Sequence, residues 1–399
     1  MHTIGIIAEY NPIHLGHIYL INKVKEKFPN SIIILITNSC FTERGEVSIL
    51  NKWDKTKISL DNNIDLVVEL PFAYATQSAD IFAKGALKIL NKLQIDTLAF
   101  GSESNNLSKL ETIVETQLTN KKYDTKVKEY LNSGINYPTA MSKALKDLIG
   151  YTISTPNDLL AISYLKEIKK QNYPIKPFIV QRIGNYHEKE ITNQTNSIIS
   201  ASLIRTLFLQ NKNITPYIPQ NTKKYLHHNI SNETYFPYLK YKILSTKDLS
   251  IYQTVEEGIE NRIQKAIQIS NSWEELIQNV KTKRYTYNKI NRMLIHILTS
   301  FTKEEANNLN IDYIRILGFN LKGKEHLNKI KKKIDVPLIT RYKKNISPLL
   351  DLEQRTTSIY YLPIDPSQTL NEYKRNPIIK IYEQADKPDT PLDIESNDE

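Results

Sequence analysis

Two histidines three residues apart, His14 and His17, stand in the run Asn11-Pro12-Ile13-His14-Leu15-Gly16-His17. Positions three apart on a helical turn share a face, so the pair could offer two hydrogen bonds to a single ligand. Imidazoles placed at a phosphate group would stabilise oxygens whose charge grows during displacement at phosphorus. Gly16, having no Cβ, would let a flat ligand approach the backbone. A zinc site would want further Cys, His or carboxylate ligands at suitable spacing, and none lies nearby in the sequence. A Walker loop would read G-x-x-x-x-G-K-[ST], which the chain lacks. Read alone, the same spacing also fits two surface histidines beside a turn.

The elements around the motif give it a place. The apolar run at residues 4–8 reads as a short buried strand, and a helical pattern covers about 18–27. The histidines thus occupy a strand-to-helix turn, where open backbone N–H groups and the positive end of the helix dipole can meet an anion. Further strands are expected at 32–36, 66–70, 97–100 and 175–180. Helical stretches at 52–60, 78–93, 107–148 and 158–170 alternate with them. Such alternation predicts an α/β fold with a Rossmann-like parallel sheet over residues 1–210. Gly101 follows the fourth strand, at the carboxyl end where open α/β sheets take ligands. Asn157 falls where an N-cap belongs. A second motif, Ile199-Ser200-Ala201-Ser202-Leu203-Ile204-Arg205, puts serines at a helix start and an arginine one turn along. That arrangement can bind phosphate oxygens through N–H groups and a guanidinium.

From about residue 211 strand-like runs become scarce and amphipathic helical patterns dominate, at 255–269, 273–280 and 287–298. Residues 211–370 are therefore expected to form a mainly α-helical domain. Residues 261–344 carry 18 Lys/Arg against 7 Asp/Glu. In Val280-Lys281-Thr282-Lys283-Arg284-Tyr285-Thr286, bases alternate with an aromatic side chain, a mixture that can hold phosphates and stack on an unpaired base. Lys281, Lys283, Arg284 and Tyr285 are the candidate RNA contacts. A solvated helix face with Tyr285 in the core is the competing reading. Residues 329–333 form a second basic run. Residues 371–399 turn acidic, 8 Asp/Glu against 4 Lys/Arg, and are expected to be partly disordered.

With 399 residues, 40% hydrophobic and 24% charged, the composition is globular, and eleven glycines argue against long flexible linkers. A single cysteine, Cys40, excludes an intramolecular disulfide and suits a reducing compartment. No signal segment precedes the first strand, and the longest aliphatic run, 32–36, cannot span a bilayer. These features predict a cytoplasmic protein with no membrane contact and no obligate protein partner. A net charge of +10 favours a polyanionic partner.

The H-x-G-H pattern resembles that of the nucleotidyltransferase superfamily. The opening Gly5-Ile6-Ile7-Ala8-Glu9-Tyr10-Asn11-Pro12, with Ile13 in place of that family's usual Phe, is similar to the bacterial tRNA(Met) cytidine acetate ligase family. The segment Ile199 to Arg205 and the Thr282-Lys283-Arg284-Tyr285-Thr286 run extend the resemblance. It implies ATP, with Mg²⁺ on the triphosphate, as the nucleotide, acetate as the acid activated, and elongator tRNA(Met) as acceptor. The product would be N4-acetylcytidine at the wobble position. It further implies that His14 and His17 are catalytic. The ATP site would comprise Ile7, Ala8, Glu9, Tyr10, Asn11, Pro12, Ile13, His14, Leu15, Gly16, His17, Ile18, Tyr19 and Leu20, with Gly101, Asn157, Arg182, Ser200 and Arg205. Two alternatives stand beside it: an adenylyltransferase acting on a cofactor precursor, and an RNA-binding protein with a vestigial nucleotide site. The first leaves a large basic helical half without a task.

Overall fold

The computed structural model describes residues 1–183, 198–226 and 230–380. Its organising element is one sheet of eight strands: β1 (Thr3–Ile7), β2 (Ile32–Asn38), β3 (Leu66–Leu70), β4 (Thr97–Ser102), β5 (Lys176–Gln181), β6 (Ile314–Asn320), β7 (Leu338–Ile339) and β8 (Ile378–Lys380). The order across the sheet is β5-β4-β1-β2-β3-β6-β7, with β8 also paired to β6. The first five strands are parallel, as alternation with helices requires.

Each central strand is buried on both faces, and its side chains alternate between two cores. In β2, Ile32, Ile34 and Ile36 enter one core while Ile33 and Leu35 enter the other. This explains the uninterrupted aliphatic run: a parallel strand covered by helices on both sides has no polar face to show. The sheet order passes from β1 to β4 on one side and from β1 to β2 on the other. This reversal of direction opens a crevice at the carboxyl ends of β1 and β4.

The second half holds the helices expected of it, among them Ile259–Ile269, Trp273–Val280 and Tyr287–Leu298. It also supplies β6, β7 and β8, which the strand-poor pattern after residue 211 did not announce. Strand β6 pairs antiparallel with β3, carrying the sheet across the expected boundary at residue 210. The reason lies in a fully buried charge cluster. Lys52 Nζ reaches Glu69 Oε1 at 2.7 Å and Glu372 Oε1 at 2.9 Å, and Arg315 Nη2 reaches Glu372 Oε1 at 2.6 Å. Trp53 Nε1 donates to Glu372 Oε2 at 2.7 Å. Lys52 and Trp53 precede residue 210 and Arg315 and Glu372 follow it, so the two halves share their most costly burial.

The first ten residues of the acidic stretch are likewise structured: the helix Gln368–Lys374 carries Glu372 into that cluster, and β8 pairs with β6. Residues 381–399, the remainder of the stretch expected to be partly disordered, lie outside the described residues. Among the described residues, no helix is long and apolar enough to cross a membrane.

Candidate active site

The helix Leu15–Lys27 begins on the two histidines, and each caps it. His14 is the N-cap, and its Nδ1 accepts the Gly16 N–H at 3.0 Å. His17 Nδ1 accepts the His14 N–H at 3.2 Å, completing a reciprocal capping box. The rings lie 3.9 Å apart between centroids, and Tyr10 meets His17 edge-on at 4.7 Å. Tyr10 itself has φ of 47°, a left-handed conformation costly for a bulky residue.

These bonds fix the chemistry of the pair. An Nδ1 that accepts a backbone N–H carries no proton, so each neutral ring bears its hydrogen on Nε2. Burial, then the charges of Arg182 and Arg205, push His14 down to about 3. Burial, with His14 and Arg182, lowers His17 well below the ordinary histidine range. The two imidazoles are thus neutral Nε2–H donors at neutral pH, suited to stabilising developing negative charge without a proton transfer of their own.

A cavity of about 1030 Å³ opens over the motif. Of the expected nucleotide site, Ile7, Ala8, Glu9, Tyr10, Asn11, His14, Gly16, His17, Tyr19, Leu20, Gly101, Asn157, Arg182, Ser200 and Arg205 line it. Pro12, Ile13, Leu15 and Ile18 do not: Ile13 is fully buried and Ile18 packs on the core beneath the sheet, so a continuous stretch 7–20 overstates the lining. Asn11 spends its Oδ1 on the Ile49 N–H at 2.9 Å, and its buried Nδ2 has no partner among the described residues.

Several assignments change in detail. A Cβ on Gly16 would meet His14 Cε1 at 2.8 Å, so the residue must be glycine to let His14 cap the helix, before any ligand arrives. Gly101 is the open one: a Cβ there would meet nothing within 4 Å. Asn157 is not an N-cap, since the helix Pro156–Lys170 starts one residue earlier, with Thr155 at that position. Asn157 Nδ2 instead donates to Glu103 Oε1 at 2.6 Å. Ser200 does cap its helix, Ala201–Leu209, accepting from Leu203 N at 3.2 Å. Arg205 donates to Asn11 O at 2.8 Å and to Glu46 Oε2 at 2.5 Å, locking the second motif onto the first.

The largest omission of the sequence reading is the loop after β2. Thr42, Glu43, Arg44 and Glu46 line the cavity, and the loop is clamped to the helix Tyr287–Leu298. Arg292 Nη1 donates to Glu43 Oε1 at 3.0 Å, and Asn291 Nδ2 donates to Arg44 O at 3.0 Å. Gly45 has φ of 73°, and a Cβ there would strike Arg292 N at 2.5 Å. A glycine between charged residues just beyond a predicted strand was the available signal.

The basic segment reaches the same cavity through Arg284, which is exposed and pairs with Glu257 at 2.8 Å. Lys281 and Lys283 are exposed. Tyr285 departs from the expectation of a stacking platform. It is buried, its hydroxyl donates to Glu256 O at 3.0 Å and lies 3.1 Å from Glu257 Oε2, and Lys289 covers its ring at 4.7 Å. Cys40 is buried and its thiol is pushed up to about 12 by burial, which leaves it inert at neutral pH.

Fold and site together define a class. The profile of the HIGH Nucleotidyl Transferase family matches residues 1–376, and the chain belongs to that family. Within it, the chain is similar to proteins named tRNA(Met) cytidine acetate ligase. That of Bacillus subtilis is 35% identical, over 95% of this chain and 97% of its own. That of Caldicellulosiruptor bescii is 37% identical, over 95% and 98%. Two crystal structures of Thermotoga maritima TmcAL, each 25% identical, cover 96% of this chain and all of their own. The apo form superposes with a TM-score of 0.87 and the form bound with alpha-thio ATP with 0.84. The α/β sheet with its nucleotidyltransferase site is the fold that the sequence predicted.

Proposed function

We propose that this chain is an ATP-dependent ligase acting in the cytoplasm. It joins acetate to the α-phosphate of ATP, releasing pyrophosphate, and passes the acetyl group to the N4 amine of the wobble cytidine of elongator tRNA(Met). N4-acetylcytidine and AMP leave. One observation carries the reading: His14, His17 and Arg284 line a single cavity. A nucleotide activated at one end and a base presented from the other can therefore meet inside it. The names borne by the relatives support the substrates.

In the activation step, the Nε2–H groups of His14 and His17 donate to the α-phosphoryl oxygens as their charge grows. Gly101 leaves room for the nucleotide, Asn157 and Arg182 line it, and Asn11 Nδ2 gives it a buried donor. Ser200, at the start of its helix, and Arg205, one turn along, face the outer phosphates, with Arg205 exchanging Glu46 for phosphate. Among the described residues no three His, Cys, Asp or Glu side chains group to hold a metal. A Mg²⁺ arriving with ATP would be held by phosphate oxygens together with one or two of the carboxylates that line the cavity. Residues 211–370 hold the tRNA, through Lys281, Lys283 and Arg284, and the reaction requires no protein partner.

The test is ATP–pyrophosphate exchange with acetate, with cofactor precursors, and with no acid. Exchange with acetate alone, without tRNA, is the expected result, together with ATP-dependent entry of label from acetate into tRNA. Exchange that needs a cofactor precursor would replace the ligase by an adenylyltransferase, and labelling from acetyl-coenzyme A without ATP would remove the acetyl-adenylate.

A further inference from the structure

Acyl transfer to an amine needs a base. The lone pair of an exocyclic cytosine amine is delocalised into the ring, so the nitrogen gains nucleophilicity as its proton is removed. The two histidines cannot take that proton, because each Nδ1 already accepts a backbone N–H and each Nε2 carries the hydrogen. Among the described residues, the carboxylates lining the cavity are Glu9, Glu43, Glu46, Asp80, Glu256 and Glu257. Four are paired with cations: Glu43 with Arg292, Glu46 with Arg205, Asp80 with Lys166, and Glu257 with Arg284. Glu256 is exposed on the rim. Glu9 remains.

Glu9 stands just beyond β1, two residues before Asn11, half-buried in the cavity wall. Its Oε1 accepts the Glu43 N–H at 2.6 Å. Glu43 is held in turn by Arg292, through its carboxylate at 3.0 Å and its carbonyl at 3.2 Å. Arg292 belongs to the helix Tyr287–Leu298, which starts directly after the basic segment. Three side chains therefore run from the side where RNA would enter to the strand end that carries H-x-G-H. The other charged or titratable groups acting on Glu9 are Arg44 on the same loop as Glu43, Lys55 on the helix Lys52–Asp61, and Tyr164 on the helix Pro156–Lys170.

We propose that Glu9 is the general base of the transfer step, accepting the proton of the cytidine N4 amine as that nitrogen attacks the acetyl carbon of acetyl-adenylate. This rests on the ligase reading. The N4–carbon bond forms, and the bond from the acetyl carbon to the phosphate oxygen of AMP breaks with its electron pair on that oxygen. The proton goes to Glu9 and from there to water. Burial, with the Glu43 charge and against Lys55 and Arg44, raises the Glu9 carboxyl to about 7. A group so poised can be neutral while the anionic triphosphate and acetate bind, and basic when the amine attacks.

The experiment supplies chemically made acetyl-adenylate and tRNA to the full chain under single-turnover conditions, which bypasses the ATP step. Wild-type transfer is expected to rise with pH to a plateau, with its midpoint near 7. Glu9→Gln should transfer about 10²–10⁴-fold more slowly and without that limb, while Glu9→Asp keeps the limb at a reduced rate. A limb that persists in Glu9→Gln, or a rate there close to wild type, overturns the proposal. Should Glu9→Asp also lose the limb while both variants keep the wild-type melting temperature, a carboxylate at this position is not the titrating group, and the proposal falls. Failure of the ligase reading has a different signature: no acetate-dependent pyrophosphate exchange in the wild type.

Discussion

Replacing His17 by alanine tests the neutral-imidazole pair directly. Three things disappear at once. The first is one Nε2–H donor to the α-phosphoryl group, and removing one preorganised donor to a developing oxyanion costs about 10²–10³ in rate. The second is the acceptor for the His14 N–H at 3.2 Å, a capping bond whose removal destabilises by about 0.5–2 kcal/mol. The third is the ring that packs against His14 at 3.9 Å and Tyr10 at 4.7 Å, so His14 loses a wall of its own seat. Acetate-dependent exchange should therefore fall at least as far as one donor predicts, mainly in kcat, since the interaction strengthens in the transition state. His14→Ala should fall less than additively when combined with it, because each ring positions the other.

The pH dependence sharpens the test. Both histidines are depressed in the fold, so their neutral forms are favoured. Their contribution to stability is full above the unfolded value of about 6.5 and declines as pH falls below it. Exchange by the wild type should consequently show no histidine limb near 6.5. A limb there that vanishes in His17→Ala would mean the imidazole acts charged, and the tautomer argument would be wrong. Near-normal exchange in both single variants would remove the pair from the active site altogether.

Neutralising Lys281, Lys283 and Arg284 together should weaken tRNA binding while acetyl-adenylate formation persists. The slope of log affinity against log salt should flatten by roughly 0.7–0.9 for each phosphate no longer neutralised; unchanged tRNA affinity would place the RNA elsewhere. Tyr285→Ala, at a buried position with an anchored hydroxyl, should instead lower the melting temperature and leave the salt slope alone. Lys52→Met leaves the buried Glu69 and Glu372 with Arg315 as their only remaining cation among the described residues, a break that costs about 3–5 kcal/mol, read as a shifted denaturation midpoint.

How much of this was legible in the residues follows from the range of the forces involved. The H-x-G-H turn, the buried strands and the Ser200 cap are local: periodicity and cap chemistry over a few neighbours determine them. The loop at Glu43 to Glu46 was not legible, because its role comes from a helix about 250 residues further along the chain, and the sequence carries only a glycine as a trace. The strand β6 was missed for a related reason. Its run Ile314–Asn320 contains Arg315, a charge that argues against a buried strand until Glu372 and Glu69 are brought to it. Tyr285 was ambiguous for a third reason, since an aromatic among bases serves a core and an RNA surface equally well until its burial is known.

On the proposed ligase reading, the cations and carboxylates round the cavity would let one chamber serve two half-reactions. Arg205, Arg284 and Arg292 each hold a carboxylate that also lines the cavity. The Arg205–Glu46 and Arg292–Glu43 pairs satisfy charges that would otherwise be desolvated at a half-buried wall, whereas Arg284–Glu257 is exposed. On the proposed ligase reading, phosphate oxygens of ATP would take the place of Glu46 on Arg205, while Arg284, being exposed, would meet a tRNA phosphate without leaving Glu257. The Arg292–Glu43 pair is braced by Asn291 and by the close approach of Gly45 to the helix backbone. It is the pair with least reason to open. Glu43, so anchored, holds Glu9 through its backbone N–H at 2.6 Å.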